Sequence, residues 1–81
     1  MIKIYSLPTC SWCQKSKKYF DLNNLEYTDI NIQEDDAAGD EMERISGQDS
    51  VPVIVINDKV IIGFDKAAID EAIELNKNKS S

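Results

Sequence analysis

Apolar residues recur along this chain with changing periods, and each change of period marks a change of element. Residues 2–7 form a β-rich run in which Ile2, Ile4 and Leu7 bracket Tyr5, and Pro8 ends it. Thr9 then offers a hydroxyl at the next helix start, and residues 10–23 carry the helix formers Gln14, Lys15 and Lys17. Asn23-Asn24 stops that helix. Residues 26–32 set Tyr27, Asp29 and Asn31 against Thr28, Ile30 and Ile32, the period-two pattern of a half-buried strand. Between residues 34 and 46 the period lengthens: Ala38, Met42 and Ile45 fall at i, i+4 and i+7, an apolar stripe on an acidic helix. Gly39 costs that helix about 1 kcal/mol relative to alanine, and Gly47 suits its C-terminal cap. Pro52 opens a strand over residues 53–56, and Asn57-Asp58-Lys59 turns the chain into a partner strand at 60–62. Asp65 is placed to cap a last helix whose buried face is Ile69, Ala72 and Ile73, leaving residues 76–81 as a polar, fraying tail. The order is βαβαββα. Its front strand–helix–strand unit implies parallel pairing with a right-handed crossover, and its rear hairpin implies an antiparallel pair.

Length turns this pattern into a single α/β domain spanning residues 1–81, because 81 residues at 42% hydrophobic content supply one modest core and no second. Fifteen acidic against nine basic residues give a net charge of -6, which disfavours nucleic acid or an anionic membrane as the main partner. The N-terminal residues do not read as a secretory signal, and the longest apolar run, residues 51–56, is too short to span a bilayer. The expected compartment is therefore the cytoplasm, where structural disulfides are rare.

That expectation sharpens the meaning of Cys10-Ser11-Trp12-Cys13, which holds the only two cysteines, at the junction of the first strand and first helix. At such a helix start the unpaired backbone N–H groups and the positive dipole end favour an anionic sulfur. Cys13, one turn deeper, is placed to attack a mixed disulfide from behind. Lys15, Lys17 and Lys18 add positive charge nearby, screened by distance. A zinc half-site would need further ligands from carboxylates or a second chain, since there is no histidine, and a purely structural disulfide would staple only one turn. The missing histidine also removes Ser/His and Cys/His nucleophile pairs. Ser50-Val51-Pro52 is the second constellation. A trans proline there is ordinary strand-start chemistry, whereas a cis bond lying against Cys10 would free the Val51 backbone to pair with an extended thiol peptide. Trp12 is either a core aromatic or, as its solvent-facing position favours, an exposed platform beside the sulfur. Gly63-Phe64-Asp65 taken alone is turn chemistry, and the acidic stretch 34–43 is a solvated helix face.

Together, the strand, Thr-Cys-Ser-Trp-Cys, the helix, then Ser-Val-Pro opening a hairpin that ends in Gly-Phe-Asp, resemble a dithiol glutaredoxin over residues 2–76. The resemblance implies a thioredoxin-like fold: a four-stranded mixed sheet in order 2-1-3-4, helices on both faces, and a cis Pro52 facing the active site. It implies Cys10 as nucleophile and Cys13 as resolving thiol, with no metal and a monomeric state. Glutathione would be the reductant, lying across a groove among Thr9, Ser11, Trp12, Gln48, Ser50, Val51, Pro52, Gly63, Phe64 and Asp65, its backbone paired to Val51.

Three positions depart from the family pattern. Ser11 replaces a proline that would pre-set the first helical turn. Leu7 stands where the family carries a lysine that meets a glutathione carboxylate. One glycine of the usual Gly-Gly is lost in Gly63-Phe64-Asp65-Lys66. These departures loosen the glutathione fit and leave thiol exchange intact. The expected function is a thiol–disulfide oxidoreductase acting on disulfide-bearing or glutathionylated proteins. Two alternatives stand beside it. One is the resemblance of Gly-Phe to redoxins that donate electrons to ribonucleotide reductase and are recycled by thioredoxin reductase. The other is a [2Fe–2S] carrier ligated by Cys10 and glutathione.

Overall fold

The computed structural model describes residues 2–80, with side chains described through residue 74. The chain runs β1 (Ile2–Ser6), α1 (Ser11–Leu22), β2 (Thr28–Asn31), α2 (Asp36–Ser46), β3 (Val53–Ile56), β4 (Lys59–Ile62) and α3 (Lys66–Ser80). These elements build the expected mixed sheet, in order β2-β1-β3-β4. β1 and β2 are parallel, with Lys3 opposite Thr28 and Ser6 opposite Asn31. β1 and β3 are antiparallel, with Ile2 opposite Ile56, and β4 returns antiparallel beside β3. Asn57 opens the hairpin turn at φ 53°, a left-handed conformation that asparagine tolerates better than most side chains.

Strand alternation divides the core into two layers. Ile2, Ile4, Ile54, Ile56 and Ile61 face α1 and α3, where they meet Phe20, Ile69 and Ala72. Tyr5 and Val53 face the other way, onto Ala38 and Met42 of α2. Ile30 and Ile32 pack on this second layer, while Tyr27 packs on the first, so the alternation across β2 assigns its two faces as expected. Each fully buried Phe, Ile or Met side chain contributes about 1.5–3 kcal/mol.

The burial of α1 decides what the site can present. Cys13, Ser16 and Phe20 lie on one face of the helix, and all three are buried against the sheet. This fixes the helix rotation and leaves Trp12, Gln14 and Lys15 outside. The Ser16 hydroxyl has no water to bond and donates instead to the Trp12 carbonyl at 2.9 Å.

Some boundaries differ from the sequence reading. Strand β1 stops at Ser6, and the Leu7 carbonyl accepts from the Cys10 N–H in a turn that holds Pro8 and Thr9. Thr9 does not cap α1: the cap residue is Cys10 itself. Helix α2 is capped by Asp35 and closed by Gly47 at φ 72°, whose N–H donates to the Glu43 carbonyl. Asp65 caps α3 as expected, its carboxylate accepting from the Ala68 N–H. Helix α3 extends to Ser80, and Ser81 lies outside the described residues. No helix among the described residues is long and apolar enough to cross a membrane.

Candidate active site

The turn from β1 into α1 delivers the two cysteines to different environments. Cys10 is the helix N-cap in extended conformation, and its side chain is partly exposed. Its Sγ accepts the Cys13 backbone N–H at 3.1 Å, the bond a cap oxygen would ordinarily accept. No acidic residue stands in the first turn of α1, so no carboxylate offsets the positive end of the helix.

Cys13 sits one turn deeper and is fully buried. Burial, reinforced by its hydrogen bond with Cys10, pushes its thiol up to about 12, and the Leu7 backbone and Lys17 ammonium counter this only in part. Both cysteines are free thiols. The geometry therefore pairs an outward sulfur at a helix N-terminus with an inward thiol that holds its proton.

The Val51-Pro52 peptide is cis, and the Val51 carbonyl faces the Cys10 thiol with Sγ at 4.0 Å. Pro52 is buried at the start of β3, and its carbonyl accepts the Gly63 N–H at 2.8 Å, which ties the Gly63-Phe64 loop to the same edge. Gly63 has φ 76°, a conformation that side chains rarely adopt. Trp12, Val51, Pro52, Gly63 and Phe64 thus line a shallow groove of about 240 Å³. Trp12 is the exposed platform expected of it, at 54% exposure. Its ring lies 6.3 Å from that of Phe64, with the Lys15 ammonium 4.5 Å over its face. A hollow of about 270 Å³ between α2 and the β3–β4 turn holds no thiol and stands apart from this chemistry.

Of the residues expected at the site, this groove gathers Trp12, Val51, Pro52, Gly63 and Phe64. Thr9 and Ser11 are exposed on either side of Cys10. Gln48 turns inward on its own loop: its amide donates to the Ser46 hydroxyl and Ser50 carbonyl and accepts the Ser50 N–H, shaping the segment that leads into Val51. Asp65 is occupied as a cap. Lys17, expected to add screened positive charge near the thiols, is paired with Asp29 at 3.0 Å. Burial would raise the Asp29 carboxyl, but the Ser6 hydroxyl at 2.7 Å and Lys17 together hold it below its ordinary value. Among the described residues no group of three or more His, Cys, Asp or Glu side chains could hold a metal ion. One chain offers a single outward thiol, so an iron–sulfur cluster would need thiolates from elsewhere.

Two residues carried no motif signal: Tyr19 and Asp70, which join through the Tyr19 hydroxyl on the far side of Phe64. Helical spacing held the clue, since Tyr19 lies two turns beyond Trp12 on the same face of α1.

A glutaredoxin family model matches residues 2–61. An uncharacterised glutaredoxin-like 8.6 kDa protein in the rubredoxin operon of Clostridium pasteurianum is 49% identical over 74 residues, which is 91% of this chain and 99% of that one. Among solved structures, a glutaredoxin from Archaeoglobus fulgidus aligns with a TM-score of 0.81 at 27% identity, covering 89% of this chain and 84% of its own. The NrdH-redoxin of Escherichia coli, a glutaredoxin-like protein with a thioredoxin-like activity profile, aligns with a TM-score of 0.77 at 26% identity, covering 86% and 91%. With a Cys-x-x-Cys pair at a helix start, a cis proline opposite it and likeness along most of its length, this chain belongs to the glutaredoxin family of redox proteins.

Proposed function

We propose that the protein is a thiol–disulfide oxidoreductase that reduces disulfides of proteins through Cys10, with Cys13 as the resolving thiol. The observation that carries this reading is the asymmetry of the pair: a partly exposed Sγ receives a helix N-terminal N–H, and a fully buried thiol lies one turn beneath it. The Cys10 thiolate attacks one sulfur of the substrate disulfide, forming a mixed disulfide, and the second substrate sulfur leaves and takes a proton from water. Cys13 then gives up its proton and attacks Cys10 Sγ. The substrate's remaining sulfur leaves as a thiol, Cys10–Cys13 becomes a disulfide, and two electrons have passed to the substrate. High proton affinity at Cys13 keeps it from competing with Cys10 for the first attack.

A second observation favours one source of electrons. All five residues lining the groove are uncharged. Glutathione carries two carboxylates, and neither meets a cation in that lining, with Leu7 at the position where the family's lysine would stand. This supports recycling by thioredoxin reductase, in keeping with the thioredoxin-like activity profile of the Escherichia coli relative. Ribonucleotide reductase is then the kind of target the resemblance implies.

The test supplies the purified protein with oxidised insulin and either NADPH with thioredoxin reductase or glutathione with glutathione reductase. Turnover in the first arm, with little in the second, is the expected result. Turnover only with glutathione would overturn the assignment of the reductant, and no turnover in either arm would overturn the oxidoreductase reading.

A further inference from the structure

The groove beside Cys10 has one wall, Phe64, whose ring is held from outside its own loop as well as by the Gly63 and Asp65 hydrogen bonds on either side of it. Phe64 lies between two aromatic side chains of α1: Trp12 on the groove side, at 6.3 Å, and Tyr19 behind it, at 5.7 Å in an edge-to-face arrangement. Tyr19 is itself gripped from α3. Its hydroxyl donates to the Asp70 carboxylate, and the Lys66 ammonium stands 5.8 Å over its ring. Lys66 and Asp70 are four residues apart, so α3 presents both from one face. Phe64 lies between Gly63, at φ 76°, and Asp65, the cap of α3. Tyr19 is thus one of the contacts that set the Phe64 ring relative to α1, beside Trp12 and the core.

We propose that Tyr19, held by Asp70, is a positioning residue that fixes the Phe64 wall and thereby sets how tightly the protein binds a polypeptide disulfide. Tyr19 does not itself line the groove; its ring contact with a lining residue is the one with Phe64, and it acts through that contact. This rests on the reading that a polypeptide docks in the groove. A small disulfide, which needs only the sulfur, does not use the wall.

The experiment oxidises the pre-reduced protein in single turnovers, with insulin or with 2-hydroxyethyl disulfide, under acid quench and thiol labelling. Tyr19→Phe keeps the ring and loses the hydroxyl. Its half-saturating insulin concentration rises about threefold to tenfold, the scale of one hydrogen bond, while the limiting rate and the reaction with 2-hydroxyethyl disulfide stay as in the parent. Asp70→Asn in the parent, whose amide oxygen still accepts from Tyr19, keeps most of the insulin affinity. Equal slowing with both oxidants, or an unchanged half-saturation with insulin, overturns the proposal. Phe64→Ala separates it from the reading beneath. If Phe64→Ala weakens insulin binding and Tyr19→Phe does not, the brace is wrong and the docking groove stands; if neither does, the groove itself is misassigned.

Discussion

Helices α1 and α2 begin alike and end up differently used. Each follows a strand of the parallel pair, and each has a cap residue in extended conformation, Cys10 at φ -88°, ψ 111° and Asp35 at φ -133°, ψ 97°. Each cap side chain accepts the N–H three residues on, at 3.1 Å. In α2 the acceptor is a carboxylate with Asp36 behind it, so the helix end is neutralised by fixed charge. In α1 the acceptor is a sulfur, with no acid in the first turn. Asp is among the best N-cap residues and sulfur is a weak acceptor, so α1 forgoes about 1 kcal/mol of capping and leaves its field available to a reacting thiol. One backbone geometry serves stability at one helix and reactivity at the other.

Cys10→Asp makes the two ends alike and is the most severe test. Reduction of insulin should be abolished, while the midpoint of urea unfolding rises by an amount equivalent to about 0.5–1 kcal/mol. A variant that was inactive and also less stable would break the comparison, because the sulfur would then be the better cap.

Next in size is the inward thiol. Cys13→Ser should still take the glutathionyl group from a glutathionylated protein onto Cys10 in a single turnover, freeing the protein thiol, and should stop two-thiol reduction, read with the two substrates side by side. If the variant loses both to the same extent, the division of labour between outward and inward sulfur is wrong. The same thiol governs alkaline stability of the reduced protein. Folding raises its proton affinity from an ordinary value of 9.0 to about 12, so its contribution is complete below about pH 9 and is lost as pH climbs towards 12. The limiting slope is one proton, about 1.4 kcal/mol per pH unit. Phenols pushed upward add slope of the same sign above pH 10: Tyr5 and Tyr27 by burial, Tyr19 by its bond to Asp70. The difference between the parent and Cys13→Ala in urea unfolding, measured from pH 7 to 10.5 under reducing conditions, isolates the thiol.

How far this was legible in the sequence depends on whether a feature is local. Alternation in β2, the stripe on α2, the cap at Asp65 and the turn at Gly47 concern neighbours along the chain, and pattern reading reaches them or comes within a residue or two. The strand order is not local: the parallel unit and the hairpin leave open which strand joins them, and the pairing of β3 with β1 came from the family resemblance. Cys10 as its own cap escaped because Thr9 is the better cap by residue type; the turn from the Leu7 carbonyl to the Cys10 N–H moves the helix start one residue on. The partner of Lys17 was not legible because nothing local announces Asp29, brought beside it by the crossover. Tyr19 and Asp70 are 51 residues apart and meet only when α1 and α3 pack side by side on the sheet.

The smallest effect returns to the caps and asks whether a helix end matters beyond its own helix. Asp35→Ala removes a cap at α2, whose packing is against the opposite sheet face, and should lower stability by about 1 kcal/mol with insulin half-saturation unchanged. Asp65→Ala removes a cap of the same kind from α3, but Asp65 follows Phe64 directly, and a loosened first turn frees the groove wall as well as the helix. It should cost a similar amount in stability and also weaken insulin binding. Asp65→Asn decides the cause, because asparagine caps as well as aspartate and carries no charge. If Asn restores binding, Asp65 works by holding the turn; if binding stays weak while stability recovers, the carboxylate itself meets the substrate, as the glutaredoxin resemblance implied.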